Sequence, residues 1–495
     1  MKTVLLIKCF FEALNTHEIE YCHWKSNHLI QSFLQGKGDL DILVSKNSQN
    51  KFKEILTEFN FKLVVSPTWE STPNVFHYYG LDEETGKFVH LHIYFELFTG
   101  GNLIKNYHLP LAGLLLESSS EFDGVKIPDR PAELLVFVIR KILECGSLPD
   151  FLFAIREGKI IEKEFNWLFD HSTSEKAKTL LPRFLPEVDV TFFEECLLSL
   201  QSKPKFFRRI ALTKNLQKNL SSYAVNSPLK NKWLTWTKFY HVLYHKFISK
   251  KNPFGFSKGG AFIAFVGEDA SGKSTHVTNT SKWLGKCVSV RKIHSGLPPA
   301  TWLTYFPRLL LPAFRKLFPN QRTNQVEIIR HNTTLQERKD ANYSIIYLVR
   351  SVMIAYDQRS LIRKARRSAD EGEIIFSDRF PSLVLAGMDG LRVDPSFFTN
   401  RNPIKRFLAE IEKTIYSNFP KPDFAFKLYV PFEVTLERFS KRTDELDEDL
   451  EKQIFTKKEL MEKWEIPGVP VHKIDNSAPL VDVQNKIRKF IWDRV

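Results

Sequence analysis

The spacing of apolar residues along the chain predicts several helices and strands. Residues 1–14 carry apolar side chains at helical spacing, which predicts an amphipathic first helix rather than a signal peptide. A second helix is predicted at Arg130–Leu143. In the second half of the chain, the apolar run Ala261–Val266 predicts a buried strand, and Ser274–Lys286 predicts a helix directly after it.

The turn between that strand and that helix has the spacing Gly267-x-x-x-x-Gly272-Lys273-Ser274. The two glycines let the backbone curl around a phosphate chain with its N–H groups pointing inward. Lys273 is expected to reach the β- and γ-phosphates of ATP, and the Ser274 hydroxyl to enter the Mg²⁺ shell. The positive end of the helix adds to anion binding. We therefore predict ATP binding by Gly267, Asp269, Ala270, Ser271, Gly272, Lys273, Ser274 and Thr275.

Length and composition are those of a large globular chain, with 495 residues, 43% of them apolar and 26% charged. This length predicts about two to four domains. The five cysteines are scattered without a CxxC pair or metal-ligand spacing, which favours buried thiols in a reducing compartment. No apolar run is long enough to cross a bilayer, so we expect a cytoplasmic protein.

Residues 204–259 form a basic connector that contributes strongly to the net charge of +14. No acidic residue occurs between Cys196 and Gly267. Three explanations are open: packing onto a neighbouring domain, contact with an anionic membrane at its inner face, or, least favoured, binding to nucleic acid or another polyanion. The feature that raises them is an aromatic stripe at helical spacing, which consists of Trp233, Trp236, Tyr240, Leu243, Tyr244 and Phe247.

Downstream of the phosphate loop, over about residues 260–495, the motifs and their order resemble the thymidylate kinase family of nucleotide kinases. The matching stretches are the loop GEDASGKST, the run Ile374–Ser382 with its Asp-Arg-aromatic triplet, and Pro422–Arg442 with a Pro-x-Glu-Val helix start. The resemblance implies an α/β fold with a doubly wound parallel sheet. It also implies transfer of the γ-phosphate of ATP with the help of Mg²⁺.

Phosphoryl transfer requires positioning and positive charge around the transferred phosphate. Asp378, at the end of an apolar strand, can hold Mg²⁺ through water or accept a proton from the attacking group. Arg379 can form a bidentate pair with a phosphate or sugar oxygen of the acceptor. A salt bridge between Asp378 and Arg379 is the structural alternative. The catalytic residues that the resemblance implies are Lys273, Asp378, Arg379, Arg438 and Arg442.

Two further arginine assignments follow from the resemblance. Arg438 and Arg442 would bring positive charge onto the transferring phosphate from a closing lid, although a solvated basic helix face explains the same residues. Arg359 would clamp the acceptor from the preceding helix.

The acceptor itself is predicted only as a class. The apolar segment Ser295–Asn320 and the segment Leu385–Pro395 depart from ordinary thymidylate kinases in the regions that recognise the acceptor. We expect a nucleoside monophosphate or a related small acceptor. The alternatives are a sugar or lipid-linked intermediate of surface polymer synthesis, or a nucleotide-gated regulator without useful turnover.

A second signature lies in the first 130 residues, where Gly38-Asp39-Leu40-Asp41 runs into an apolar strand. It resembles the α+β nucleotidyltransferase fold of the DNA polymerase β superfamily. Because residues two apart in a strand point to the same side, Asp39 and Asp41 can share one Mg²⁺. The later strand Phe88–Leu97 carries His90 and His92 where a third acid is expected, and Glu96 is its only acid.

Those histidines leave nucleotidyl transfer by this segment open, and aspartates that only cap a loop are the structural alternative. The predicted organisation is a nucleotidyltransferase-like domain, a helical middle segment, the basic connector and a phosphate-loop kinase domain. Their predicted bounds are residues 1–130, 131–203, 204–259 and 260–495.

Overall fold

The structure is a computed structural model that describes residues 3–66, 74–147, 150, 156, 158–201, 206–249, 252–296, 298–317, 344–386, 390–393, 395–441 and 448–495. The chain divides into two compact units, Met1–Ser257 (unit 1) and Lys258–Val495 (unit 2). The predicted start of the kinase domain, residue 260, lies next to this division.

Unit 1 is built on a six-stranded mixed sheet in the order β1-β2-β5-β4-β3-β10. Strands β2 and β5 are parallel, and the other neighbouring pairs are antiparallel. Two short ribbons, β6–β7 and β8–β9, complete its strands. The bounds are β1 (Tyr21–His23), β2 (Asp39–Val44), β3 (Lys62–Val65), β4 (Val75–Asp82), β5 (Lys87–Tyr94), β6 (Leu97–Thr99), β7 (Tyr107–Leu109), β8 (Ser120–Phe122), β9 (Val125–Ile127) and β10 (Gly255–Phe256).

The two faces of this sheet enter two different apolar cores, because side chains alternate between the faces of a strand. Leu40 and Ile42 join the core formed with α1 and α3, whereas Leu43 and Tyr94 join the core formed with the later helices. The helices of unit 1 are α1 (Leu5–Thr16), α2 (Ile30–Leu34), α3 (Gln49–Glu58), α4 (Ala112–Glu117), α5 (Arg130–Leu143), α6 (Gly158–Leu168), α7 (His171–Phe184), α8 (Val190–Gln201), α9 (Phe206–Asn219) and α10 (Pro228–Tyr244).

The second core joins the predicted helical segment and part of the predicted connector to the N-terminal sheet. Leu135 of α5 and Leu216 of α9 are both buried in it. The connector then returns to the sheet, where β10 pairs with β3. The predicted divisions at residues 130 and 203 therefore fall inside one compact unit. No helix among the described residues is both long and apolar enough to cross a membrane.

Unit 2 is built on a five-stranded parallel sheet in the order β12-β13-β11-β16-β17. Its strands are β11 (Ala261–Gly267), β12 (Val290–His294), β13 (Ile374–Asp378), β14 (Ser382–Ala386), β15 (Gly390–Leu391), β16 (Phe424–Tyr429) and β17 (Val471–Asp475), of which β14 and β15 pair separately. Its helices are α11 (Lys273–Leu284), α12 (Trp302–Leu317), α13 (Ile345–Asp370), α14 (Pro403–Ser417), α15 (Phe432–Ser440), α16 (Glu448–Glu462) and α17 (Leu480–Arg494).

The strand order in unit 2 fixes where a ligand can bind. The chain starts at the central strand β11, adds β12 and β13 on one side, and then adds β16 and β17 on the other. Strand β11 is fully buried, with Phe262 and Phe265 inaccessible to solvent, as the apolar run predicts. In open parallel sheets, ligands bind beyond the carboxyl ends of the strands at the point where the order reverses. Here that point is the end of β11, at Gly267.

Candidate functional site

The predicted phosphate loop lies between β11 and α11, at the carboxyl edge of the sheet in unit 2. Gly267 has φ 152°, and a Cβ atom added there would lie 2.3 Å from the carbonyl oxygen of Leu428. Gly272, the residue before α11, has φ 91°. Both positions therefore require glycine, as the spacing of the motif indicates.

Lys273 is buried and extends back along the loop. Its Nζ donates hydrogen bonds to the carbonyl oxygens of Gly267, at 2.9 Å, and Glu268, at 2.5 Å. Burial raises the pKa of the Glu268 carboxyl. The ammonium is thus held inside the curve of the loop, where a phosphate chain would be enclosed.

Ser274 and Asp378 meet at this edge of the sheet. Asp378 ends β13, which pairs with β11 so that Phe265 and Asp378 are neighbours. The Ser274 hydroxyl donates to Asp378 Oδ2 at 2.6 Å, whereas Asp378 Oδ1 is buried with no hydrogen-bond partner among the described residues. A hydroxyl and a carboxylate are donors that Mg²⁺ prefers, so these residues fit the predicted ion.

Arg379 is held in a left-handed backbone conformation, with φ 75°. Its N–H donates to the carbonyl of Phe265, and its own carbonyl accepts hydrogen bonds from the hydroxyls of Ser295 and Ser377. The guanidinium pairs with Asp269 at 2.9 Å. Non-glycine residues in this region of φ are uncommon and are found at functional sites, where surrounding contacts hold them in place.

The remaining loop residues are held by backbone contacts or exposed at the start of α11. Ala270 is buried with φ 63°, and the Ser271 N–H donates to the carbonyl of Glu268. Ser274 and Thr275 are exposed in the first turn of α11. The backbone N–H groups of a first helical turn are the groups that an anion at a helix start binds.

Arg438 of α15 contacts the loop itself. Its guanidinium donates to the carbonyl oxygens of Ala270, at 3.1 Å, and Asn476, at 3.0 Å. In this arrangement Arg438 supports the loop backbone, and its predicted role on the transferring phosphate stays a prediction. Arg442 lies outside the described residues. Arg359 lies on α13, and its Nε is buried with no hydrogen-bond partner in the described part of the chain.

Asn476 is a site residue that the sequence analysis missed. Its Nδ2 donates to the carbonyl of Ser271 at 2.7 Å, and its Oδ1 lies 2.8 Å from Nε2 of the buried His276. It directly follows β17, at the same edge of the sheet as the loop. That position after the last strand is the one signal that could have identified it.

Asp39 and Asp41 lie on one face of β2 in unit 1, as the period of a strand predicts. The parallel partner β5 places His90 beside Asp39 and His92 beside Asp41. Lys25 Nζ lies 2.8 Å from Asp41 Oδ1, and the Tyr94 hydroxyl donates to the same oxygen.

These partners determine the charge of both carboxylates. Burial alone would raise the pKa of Asp39 and of Asp41, but His90 on the first, and Lys25 with His92 on the second, hold each pKa below its usual range. Paired ammonium and imidazole groups fit Mg²⁺ poorly, because that ion prefers oxygen donors. Mg²⁺ at Asp39 and Asp41 stays a prediction, with geometry less favourable than at Ser274 and Asp378.

The predicted strand Phe88–Leu97 is two strands, β5 and β6, separated at Phe95 and Glu96. Glu96 contacts Lys46, Asn74 and His108.

The aromatic stripe of the connector lies on α10 and the turn that follows it. Trp233 is 65% exposed and Tyr240 is 64% exposed, and Tyr244 and Phe247 are exposed as well. These side chains therefore do not enter the cores of unit 1, and packing onto a neighbouring domain stays a prediction.

No family model matches the chain. Over 238 residues the chain is 25% identical to YghR, an uncharacterised ATP-binding protein of Escherichia coli, in each of two strains. The aligned region covers 46% of this chain and 86% of YghR. The solved structures that are similar to the chain include thymidylate kinase from Candida albicans, with 16% sequence identity and a TM-score of 0.26. This match covers 47% of the present chain and 91% of the Candida albicans chain. Thymidylate kinase from Ehrlichia chaffeensis is also similar, with 16% sequence identity and a TM-score of 0.25. That match covers 47% of the present chain and 99% of the Ehrlichia chaffeensis chain.

Proposed function

We propose that the protein is a phosphotransferase that uses ATP and Mg²⁺ to phosphorylate a nucleoside monophosphate or a related small acceptor. The observation that carries this proposal is the 2.6 Å contact between Ser274 and Asp378 beside the phosphate loop. It brings the hydroxyl of the loop and the carboxylate of the neighbouring strand together, where a bound triphosphate and its ion require them. The relative named as an ATP-binding protein supports the nucleotide part of the proposal.

The site residues of unit 2 would have separate roles in this reaction. The N–H groups of the loop and Lys273 would hold the β- and γ-phosphates of ATP. Ser274 and Asp378 would hold Mg²⁺, and Asp378 Oδ1 supplies a carboxylate oxygen that has no other partner in the described structure. When bound, the ion neutralises negative charge on the phosphate oxygens. Arg379, whose guanidinium pairs with Asp269, would add positive charge on the side of the loop where Asp269 lies.

The acceptor would bind beside α12 and α13. Asp357 of α13 is fully buried, accepts hydrogen bonds from Thr301 and Thr304, and pairs with Arg308 at 2.7 Å. These contacts fix the start of α12 on α13. Arg359, two residues further along α13, is then a candidate for holding an anionic acceptor, as the resemblance implies.

Incubation of the full chain with ATP, Mg²⁺ and each of a panel of nucleoside monophosphates tests the proposal by ADP formation. We expect ADP that depends on one acceptor and is lost in Lys273→Ala. Lys282→Ala, an exposed lysine of the same helix α11, is the matched control and should keep the activity. ATP binding without ADP for any acceptor would instead favour a nucleotide-gated regulator.

A second candidate function is phosphorylation of a sugar or lipid-linked intermediate, and it is favoured by the exposed apolar face of α12. Trp302 is 81% exposed and Phe306 is 69% exposed, and Leu309 is also exposed. Exposed apolar groups of this size mark surfaces that bind apolar partners. Acceptor panels that add sugar phosphates and polyprenyl phosphates separate the two candidates. Activity with a polyprenyl acceptor that falls in Phe306→Ser would favour the second.

A further inference from the structure

Three histidines of unit 1 meet on one face of the mixed sheet. His90 and His92 lie two residues apart on β5, and His77 lies on the antiparallel neighbour β4, directly opposite His92. Because side chains alternate along a strand, all three imidazoles project to the side that also carries Asp39 and Asp41 of β2. The sequence pattern singles out His90 and His92 but not His77, which lies 13 residues before His90 on a separate strand.

The ring nitrogens of the three histidines lie close together, and one distance between them matches that of a tetrahedral metal site. One nitrogen from each histidine lies within 4.8 Å of the others. His77 Nδ1 and His90 Nε2 are 3.3 Å apart. Two nitrogens bound to one tetrahedral zinc ion at about 2.0–2.1 Å are themselves about 3.3 Å apart. A hydrogen bond between the two rings is the other explanation of that distance.

The carboxylates orient two of the rings. His90 Nδ1 lies 2.8 Å from Asp39 Oδ1, and His92 Nδ1 lies 3.3 Å from Asp41 Oδ1. With its Nδ1–H directed to a carboxylate, each ring keeps the lone pair of Nε2 for a metal. His90 Nε2 faces His77, and His92 Nε2 lies 3.9 Å from Asp39 Oδ2. Histidines that bind metals in proteins are held by carboxylates in this way. Lys25 in turn holds Asp41.

Aromatic rings restrict the same histidines. Tyr79 stacks on His90 with ring centres 4.1 Å apart and an interplanar angle of 3°, and Phe254 contacts His77 at 5.1 Å. These ring contacts hold the imidazoles of His90 and His77 in place within the cluster.

We propose that His77, His90 and His92 bind one divalent transition-metal ion of the zinc class, with Asp39 and Asp41 as the carboxylates that orient the ligands. Three imidazoles leave a fourth coordination position for water or for an anionic ligand. Imidazole donors favour zinc, cobalt or nickel over magnesium. This ion therefore differs from the Mg²⁺ that Asp39 and Asp41 would share according to the nucleotidyltransferase resemblance. The proposal does not depend on the function proposed for unit 2.

The test is calorimetric titration of the full chain, without a histidine tag, with Zn²⁺. We expect one equivalent bound to the wild type and at least a hundredfold loss of affinity in each of His77→Ala, His90→Ala and His92→Ala. The Asp39→Asn variant should lose about tenfold, as partners of metal ligands typically do. His108→Ala, a partly exposed histidine of β7, is the matched control. Asp378→Asn removes the carboxylate beside the phosphate loop of unit 2 and should not change the Zn²⁺ affinity.

A second measurement does not depend on the folding of any variant. Co²⁺ added to the wild-type chain should give the intense visible absorption of a four- or five-coordinate nitrogen site, and Zn²⁺ should displace it. Three results would overturn the proposal: no Zn²⁺ binding to the wild type, a weak octahedral Co²⁺ spectrum, or folded His77→Ala that binds Zn²⁺ like the wild type. The last would assign His77 and His90 to a hydrogen bond between rings.

Discussion

Ser274 Oγ and Asp378 Oδ2 are hydrogen-bonded at 2.6 Å although 104 residues separate them in the chain. The parallel pairing of β11 with β13 explains the contact, because it aligns the end of β13 with the beginning of the phosphate loop. A hydroxyl at a helix start and a carboxylate at a strand end are brought together by the order of the strands alone. The site thus depends on the topology of the sheet as well as on the motif.

Replacement of Lys273 by alanine should lower phosphotransfer by about 10²–10³-fold, because a charge next to the transferring phosphate is lost. Asp378→Asn should lower turnover strongly with a smaller effect on ATP affinity. Steady-state ADP formation and nucleotide titration measure the two quantities separately. Turnover within twofold of the wild type in either variant would contradict the assignment.

Gly267→Ala should destabilise unit 2 by about 1–3 kcal/mol more than Gly259→Ala. Both glycines have positive φ, but an added Cβ at Gly259 meets nothing within 4 Å, whereas at Gly267 it lies 2.3 Å from a backbone oxygen. The difference between the two variants therefore isolates the close approach from the cost of the dihedral angle. Urea unfolding of the full chain measures it. Equal destabilisation of the two would show that the loop can move away from Leu428.

Asn476→Ala should destabilise the phosphate loop, because it leaves the buried His276 nitrogen and the Ser271 carbonyl without a partner. Buried polar groups that lose a partner cost about 1–3 kcal/mol each. We expect weaker nucleotide binding together with the loss of stability. The exposed Asn418 serves as the control position, and Asn418→Ala should leave nucleotide affinity unchanged. Unchanged nucleotide affinity in Asn476→Ala would mean that the loop holds its shape without this contact.

The sequence predicts those parts of the site that lie together in the chain. The loop Gly267–Thr275 is contiguous in the chain, and backbone geometry requires its glycines. The spacing of these residues is therefore enough to predict where the turn between the strand and the helix lies. Asp39 and Asp41 could be placed on one face because the period of a strand fixes which of its side chains point to the same side. Arg438 and Asn476 reach the loop from α15 and from the end of β17. No local pattern encodes those contacts, since they arise only when the strands pair.

His77 could not be predicted as part of the histidine cluster for the same reason, because its contacts arise only when the strands pair. Its partners on β5 were identified as unusual, but its own strand β4 has no signal that fixes the pairing register. The register His77–His92 exists only in the folded sheet.

Glu144 should make the stability of unit 1 depend on pH in the acid range. The carboxylate pairs with Lys141 at 2.7 Å and Lys105 at 3.9 Å. Burial alone would raise the pKa of Glu144, but Lys141, Lys105 and Arg140 together lower it to about 2 from its ordinary value of 4.5. Since the folded-state pKa is the lower one, the stabilisation is present above pH 4.5 and is lost as the pH falls toward 2.

The corresponding variant is Glu144→Gln, which leaves the buried Lys141 and the half-buried Lys105 without their carboxylate and should cost about 3 kcal/mol at pH 7. The difference in unfolding free energy between the wild type and this variant should shrink by about 1 kcal/mol between pH 5.5 and 3.5. Urea unfolding at both pH values measures it, with Glu58→Gln on the exposed side of α3 as control. A difference that stays constant with pH would show that the charge of Glu144 is not the source of the stabilisation.

The basic helix α10 should bind anionic membranes. Its exposed Trp233 and Tyr240 are side chains that suit a membrane interface, and the connector has no acidic residue to oppose an anionic surface. Each lysine near such a surface contributes about 1 kcal/mol, so Lys230→Gln with Lys232→Gln should weaken partition about 30-fold. The same charge change on α6, Lys159→Gln with Lys163→Gln, is the matched control and should have little effect. Vesicle sedimentation of the full chain, with increasing anionic lipid and increasing salt, measures the partition. Equal binding to neutral and anionic vesicles, or equal loss in both double variants, would refute an electrostatic role for this helix, because attraction to an anionic surface must follow both its charge and salt screening.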